Sequence, residues 1–237
     1  MCLRMLLSRR RFQLNDNQIL QCNLAAFGSC TKYGPDGKLG DAFYKSVKLF
    51  KSKIMKHVNP TGAIDDNVRS AIHDMISNLN PFKLKCKCGE CEGFGHGSML
   101  DQYRDGKPHV EAYCQYEYPY ISHMTIGAAA GIIAMYPDET WEISSGYRCH
   151  IDNKQHGRTS TNHMGKAIDL RPVSIPFNNR AEYCDNIRNE LVSLSTFQDG
   201  WSESNKLALE PSRIAPTWVH LDCRQFDHKW IIETARV

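Results

Sequence analysis

The sequence contains no long apolar run, no signal-like leader and no strong excess of one charge. No stretch of about 18 apolar residues occurs, which argues against a membrane-spanning helix. The opening MCLRMLLSRRRFQ lacks the basic, apolar and small-residue order of a secretory signal, so we expect synthesis as a soluble cytoplasmic chain. The net charge is +3, and the one dense basic run, Arg9 to Arg11, is typical of a solvated tail, so we expect no nucleic-acid partner.

What is present indicates a globular protein that is rich in cysteine. Apolar residues make up 41% of the 237 residues and charged residues 23%, which is enough to bury a core. Outside the cluster CKCGEC, the cysteines are scattered, which favours buried reduced thiols; disulfides are the alternative if the protein works outside the cytoplasm. The scattered set comprises Cys2, Cys22, Cys30, Cys114, Cys149, Cys184 and Cys223.

The first third of the chain has the periodicity of three helices. Apolar residues recur at helical spacing from Phe43 to Ile54, NPTG interrupts the pattern, and a second periodic run follows Asp66. With NQILQCNLAAF upstream, we predict a three-helix domain over residues 13–79. The order of DGKLGD, VKLFK and PTGAIDDNVRSAI resembles the peptidoglycan-binding repeat of wall-lytic enzymes, which implies that this domain binds bacterial peptidoglycan.

A cysteine-rich segment, residues 80–97, follows without any sustained periodicity. Closely spaced thiolates on a turn can converge on a tetrahedral ion, so Cys86, Cys88 and Cys91 are candidate ligands of a structural zinc. His96 or Cys114 is the candidate fourth ligand. Because the spacing lacks a clean second pair of cysteines, disulfides and free thiols are alternatives.

The rest of the chain alternates between helix and strand patterns. YISHMTIGAAAGIIAMYP predicts a helix that ends at Pro137, and the polar stretch NNRAEYCDNIRNELVSL is partly helical. The alternation of apolar and polar residues predicts three short strands, TWEISS, KAIDLRP and TWVHLDCR. We therefore predict an α+β domain over residues 80–237, with a small antiparallel sheet.

Two of these strands carry candidate metal ligands. His163 and Asp169 lie six residues apart, too far on a regular helix or strand to share an ion, so the chain must turn between them at Gly165. Alternation places Asp169 on one face of its strand, and His220 with Asp222 on one face of another. If the two strands pair, Asp169 and His220 meet. With His163 they form a metal site that has a vacant position for water.

Such a site has two natural chemistries. An open zinc site lowers the pKa of bound water to about 7 and polarises a carbonyl, which suits amide hydrolysis. The set of two histidines and one carboxylate is also found in Fe(II) oxygenases, which are the competing class of enzyme.

Three motifs in the same order resemble a known family, the zinc D-alanyl-D-alanine carboxypeptidases and L-alanyl-D-glutamate endopeptidases, including phage endolysins. The resemblance implies a hedgehog/DD-peptidase-like fold, a catalytic Zn²⁺ held by His163, Asp169 and His220, and hydrolysis of peptidoglycan stem peptides. It also assigns Arg148 to the carbonyl or carboxylate of the substrate. The motifs are SSGYR at 144–148, NHMGKAIDL at 162–170 and WVHLD at 218–222.

The general base and the substrate-binding residues are less well defined. Thr217 stands where the family carries its catalytic acid, so the proton acceptor must come from elsewhere. Glu210 and Asp222 are both candidates, and we favour Glu210 because Asp222 is equally well explained as a group that orients His220. Arg148 on a turn can fork onto a carboxylate or stabilise an oxyanion. Further candidates for substrate contacts are Ser160, Thr161, Trp218, Arg158, His150 and His156.

Together these features predict a monomeric, endolysin-like zinc peptidase whose partner is peptidoglycan. It would act on the cell wall, in the periplasm or outside, after release or delivery. An inactive wall- or partner-binding module of the same fold, with structural zinc, is the first alternative, since position 217 lacks the acid. An Fe(II) oxygenase is the second.

Overall fold

The structure belongs to the α+β class, as predicted. It is a computed structural model that describes residues 14–30, 34–91, 93–95, 121–157, 165–194, 196–203, 206–224 and 226. None of the helices within these ranges is long and apolar enough to cross a bilayer. The α-helices are α1 (Asp16–Asn23), α2 (Asp41–Lys53), α3 (Asp66–Ser77), α4 (His123–Met135), α5 (His150–Gln155) and α6 (Phe177–Ser193), with two 3-10 helices at Ala25–Phe27 and Pro81–Leu84.

Helices α1 to α3 confirm the three helices predicted in the first third of the chain. Asn15 begins α1 with a capping box, in which its side chain accepts the N–H of Gln18 and the Gln18 side chain accepts the N–H of Asn15. Asp65 caps α3 by accepting the N–H of Val68 at 2.9 Å. The apolar face of α2 that the periodicity predicts is buried.

Helix α4 joins these helices to the sheet. It is apolar on all sides, as expected for a fully buried helix, and it contacts α1, α3, β2 (Ala167–Pro172) and β5 (Val219–Asp222). A Cβ atom on Gly127 would lie 2.0 Å from the carbonyl oxygen of Cys22, so only glycine lets the two backbones approach this closely. The helices and the sheet share one continuous core, and the proposed domain boundary between residues 79 and 80 stays a prediction.

The sheet has five strands in the described ranges, in the order β1-β2-β5-β4-β3. The three predicted strands form β1, β2 and β5, and they pair antiparallel. The prediction of an entirely antiparallel sheet is wrong, because β3 and β4 pair parallel. Strands of three residues carry too little alternation to reveal their presence or direction from sequence. The bounds of the remaining strands are β1 Trp141–Ser145, β3 Phe197–Asp199 and β4 Leu207–Leu209.

The register of β2 positions the candidate site. On one side Asp169 pairs with Ser145 of β1, after an irregularity in the ladder, and on the other side it pairs with His220 of β5. Gly165, just before β2, has a φ of 65°, in the left-handed region that favours glycine. The turn predicted at Gly165 is therefore confirmed.

Candidate metal and catalytic site

The carboxylate of Asp169 and the imidazole of His220 face each other across β2 and β5. Asp169 Oδ1 lies 2.5 Å from His220 Nδ1, and the two residues are 8% and 5% exposed. The conditional prediction that these side chains meet if their strands pair is confirmed. The contact arises because same-face residues that are paired in neighbouring strands have Cβ atoms about 5 Å apart.

Asp169 and His220 belong to a row of alternating charges. Arg148 Nη2 lies 3.5 Å from Asp169 Oδ2, and at the other end Asp222 Oδ2 lies 3.5 Å from His220 Nε2. Arg224 Nη2 contacts Asp222 Oδ2 at 2.6 Å. Asp222 is fully buried, and burial of charge is tolerated here because each carboxylate has a cationic neighbour.

The two carboxylates determine the protonation of His220. Burial disfavours the imidazolium, but the hydrogen bonds to Asp169 and Asp222 outweigh burial and raise the pKa of His220 to about 10. A metal that binds Nδ1 must displace any proton held there. A carboxylate and an imidazole are ligand types that zinc accepts, and the second carboxylate holds the far ring nitrogen.

Several predicted site residues lie outside the described residues. They are the candidate ligand His163, the pocket candidates Arg158, Ser160 and Thr161, and the candidate cysteine-site ligands His96 and Cys114. The side chain of His150 is likewise not described. His156 is described, and its side chain is 53% exposed and lies close to Asp152.

The two candidate bases have different surroundings. The N–H of Glu210 donates to the carbonyl oxygen of His220 at 3.2 Å, which places Glu210 beside the middle of β5. Its side chain is half-buried, and within the described ranges it forms no hydrogen bond or ion pair. Asp222 is already engaged by His220 and Arg224, which suits a group that orients the imidazole. Trp218, just before β5, is half-buried, and its carbonyl accepts a hydrogen bond from Arg188.

A second cluster of metal-ligating side chains lies in the cysteine-rich segment. Cys86, Cys88 and Cys91 are joined by Cys149, and the four sulfur atoms all lie within 4.8 Å of one another, so that they could hold a metal ion. Cys149 is buried and free, as predicted for the scattered cysteines, but the sequence did not predict that it joins this cluster. Its position in SGYRC, in the short connection directly after β1, was the available signal, because a thiol outside a regular element can approach another segment of the chain.

Among the remaining cysteines that the structure describes, Cys22, Cys184 and Cys223 are buried, as predicted, whereas Cys30 is half-buried. Within the described ranges all eight cysteines are free, and none forms a disulfide. Burial raises the pKa of Cys184 to about 11. Within the cluster, burial likewise raises the pKa of Cys86 to about 11. Burial also acts on Cys88, but N–H donors from Glu90 and Cys91 outweigh it, and the pKa of Cys88 falls below its ordinary value.

A comparison of the chain with known protein families found no matching family model, and a comparison with curated proteins found no match. The resemblance to zinc carboxypeptidases and endopeptidases therefore stays an expectation that depends on the three motifs alone.

Proposed function

We propose that this protein is a zinc-dependent peptidase that cleaves peptide bonds in the stem peptide of bacterial peptidoglycan. The observation that carries the proposal is the 2.5 Å contact between Asp169 Oδ1 and His220 Nδ1, made by adjacent strands. A carboxylate and an imidazole held this close by the sheet need little rearrangement to share an ion. His163, which precedes the turn at Gly165, would be the third ligand.

The surrounding residues have distinct roles in this reaction. Bound zinc would polarise the scissile carbonyl and acidify a water molecule. Arg148, 3.5 Å from Asp169, binds the substrate's carboxylate or the oxyanion that develops from its carbonyl. The carboxylate of Glu210 accepts the proton from the attacking water. Asp222 keeps the proton on His220 Nε2, so that Nδ1 is the atom that faces the metal.

Peptidoglycan as the substrate is supported by the first three helices and by charge. Their order and loop sequences resemble a wall-binding repeat, and α1 and α3 pack directly against α4, which in turn contacts β2 and β5. The small positive net charge of +3 suits an anionic polymer. We therefore expect the monomeric protein to act at the cell wall.

The test is digestion of purified cell wall by the native chain and by Glu210→Gln and Asp222→Asn. We expect the native chain to release free amino groups, and mass spectrometry of the muropeptides to identify the bond. Loss of a general base lowers kcat by about 10²–10⁴-fold, whereas loss of an orienting partner lowers it by about 10–100-fold, so Glu210→Gln should be the weaker enzyme.

Two outcomes would reject the proposal. Release of no amino groups by the zinc-loaded native chain from any wall preparation would favour an inactive binding module. Turnover that requires oxygen, with iron as the bound metal, would identify an Fe(II) oxygenase.

A further inference from the structure

The four clustered cysteines have the dimensions of a tetrahedral metal site. Zinc–sulfur bonds are about 2.3 Å long, so sulfur atoms at the corners of a zinc tetrahedron lie about 3.8 Å apart. The sulfur atoms of Cys88 and Cys149 lie 3.5 Å apart, and all four lie within 4.8 Å of one another. None of the four forms a disulfide, so each thiol can supply a ligand.

The backbone around the cluster supports thiolate ligands, because every sulfur accepts at least one backbone N–H. Such donors stabilise negative charge on sulfur and fix the direction of the ligand. The sulfur of Cys86 accepts the N–H of Cys149 at 3.3 Å, and that of Cys88 accepts the N–H groups of Glu90 and Cys91 at 3.3 Å. The sulfur of Cys91 accepts the N–H of Gly93 at 3.4 Å, and that of Cys149 accepts the N–H of Asp152 at 3.5 Å.

We propose that Cys86, Cys88, Cys91 and Cys149 bind one Zn²⁺ as a closed structural site, which fastens the cysteine-rich segment to the turn that carries Arg148. Four protein ligands leave no position for water, so the site is structural rather than catalytic. Four thiolates in a tetrahedron select zinc or iron among common metals, and zinc is the ion that holds a site of this kind without redox chemistry.

The segment contacts the turn on both sides of Arg148. Before Arg148, the N–H of Tyr147 donates to the carbonyl oxygen of Leu84 at 2.7 Å, and the ring of Phe94 packs edge-on against Tyr147 with centroids 6.1 Å apart. After Arg148, Cys149 is itself a ligand. An ion in the cluster therefore holds the backbone next to Arg148 and makes Cys149 a positioning residue for the guanidinium. This positioning role depends on the proposed function, whereas the metal site does not.

The metal site can be tested on the full chain by replacing zinc with Co²⁺. We expect intense sulfur-to-cobalt charge-transfer absorption together with the d–d bands of tetrahedral cobalt, and zinc should displace both. Cys91→Ser and Cys149→Ser should lose the charge-transfer absorption. Cys184→Ala, which removes a buried thiol far from the cluster in sequence, and His220→Ala should keep it.

The native chain alone can overturn the proposal. If native protein loaded with Co²⁺ shows no thiolate charge transfer, there is no tetrathiolate site, whether or not the serine variants fold. As a second measurement, titration of the native chain with a mercurial thiol reagent should release about one equivalent of zinc. Equal loss of charge transfer in Cys184→Ala would also contradict the assignment.

The positioning role has a separate readout, a double-mutant cycle on wall hydrolysis. We expect Cys91→Ser to lower kcat/KM by about 10–100-fold in the native background, and by much less in an Arg148→Ala background, because the two residues then act through one contact. Equal losses in both backgrounds would overturn the positioning role. A cobalt spectrum without hydrolysis by any variant would reject the peptidase and leave the metal site standing.

Discussion

The Asp169–His220 pair and the cysteine cluster are two candidate metal sites built on different kinds of backbone. The pair lies on β2 and β5, where the ladder of the sheet sets the register of both residues. The cluster lies on two segments outside the helices and strands, where single hydrogen bonds such as that from Cys86 N–H to Gly93 O at 2.7 Å replace a ladder. The sheet ladder fixes the register of the first pair without an ion, and we expect a bound ion to contribute more to the order of the second.

This difference predicts which property, activity or stability, changes when metal is removed from each site. Asp169 and His220 already neutralise each other, so loss of their ion leaves the fold in place and abolishes chemistry. Four thiols without an ion lose the bonds that hold their segment, and a structural zinc contributes directly to the free energy of folding. Removal of metal from the Asp169–His220 site should therefore lower activity, and removal of metal from the cysteine cluster should lower stability.

The largest effect that tests this comparison is expected from Asp169→Asn. The amide has nearly the same shape but lacks the charge that pairs with the buried His220 imidazole and with Arg148, so we expect the melting temperature to fall as well. Activity should fall by more than the roughly 10³-fold that loss of one transition-state donor costs, because a charged ligand is lost. Wall hydrolysis and thermal melting measure the two quantities. The control is Asp199→Asn, at the exposed end of β3. An Asp169→Asn variant as active as the native chain would contradict the assigned site.

Arg148→Lys tests the role of the residue that contacts Asp169 and directly precedes Cys149. Lysine keeps the charge but cannot fork onto a carboxylate, so we expect kcat/KM to fall by about 10²-fold, near the lower end for loss of one oxyanion donor. The matched control is Arg171→Lys, since Arg171 lies on β2 but pairs with Glu142 at 2.5 Å. Equal kinetics for the two variants would remove Arg148 from the reaction.

Gly146→Ala should weaken the cysteine cluster without replacing any of its four cysteines. A Cβ atom on Gly146 would lie 2.5 Å from the carbonyl oxygen of Leu84, so the cysteine-rich segment must shift. We expect a loss of about 1–3 kcal/mol in the free energy of unfolding, as for other overpacked sites, together with weaker metal retention. Gly40→Ala, where a Cβ meets nothing within 4 Å, should cost much less in denaturant titrations. Unchanged stability of Gly146→Ala would show that the segment is not docked there.

The smallest effect is expected from Glu190→Gln, which should leave both sites unchanged. Hydrogen bonds from Lys53 and Tyr136 lower the pKa of Glu190. A lowered carboxyl pKa means that the stabilisation is present above the ordinary glutamate value of about 4.3 and is lost as the pH falls through the folded-state pKa. Because both charged side chains are partly exposed, the loss at pH 7 should be below about 1 kcal/mol. Melting at pH 7 and at pH 3 should show the difference between native and variant disappear, and a difference that grows at low pH would refute this assignment.

Much of the candidate site follows from local pattern. Alternation along KAIDLRP and WVHLD put Asp169 and His220 on strand faces that could meet, and Gly165 marked the turn. The direction of β3 and β4 did not follow, because a strand of three residues has no period to detect. The choice of Glu210 over Asp222 as the general base stays a prediction from sequence, to which the structure adds that Arg224 engages Asp222.

The amino-acid sequence by itself determined α1 to α4, α6 and the three longer strands, because periodicity and turn preference are properties of neighbouring residues. It did not reveal α5, whose six residues are too few to show a helical period. The tertiary structure alone decided that Cys149 joins Cys86, Cys88 and Cys91, and that β5 lies beside β2. Segments far apart in the chain meet only through the packing of the whole core, and no local pattern encodes that packing.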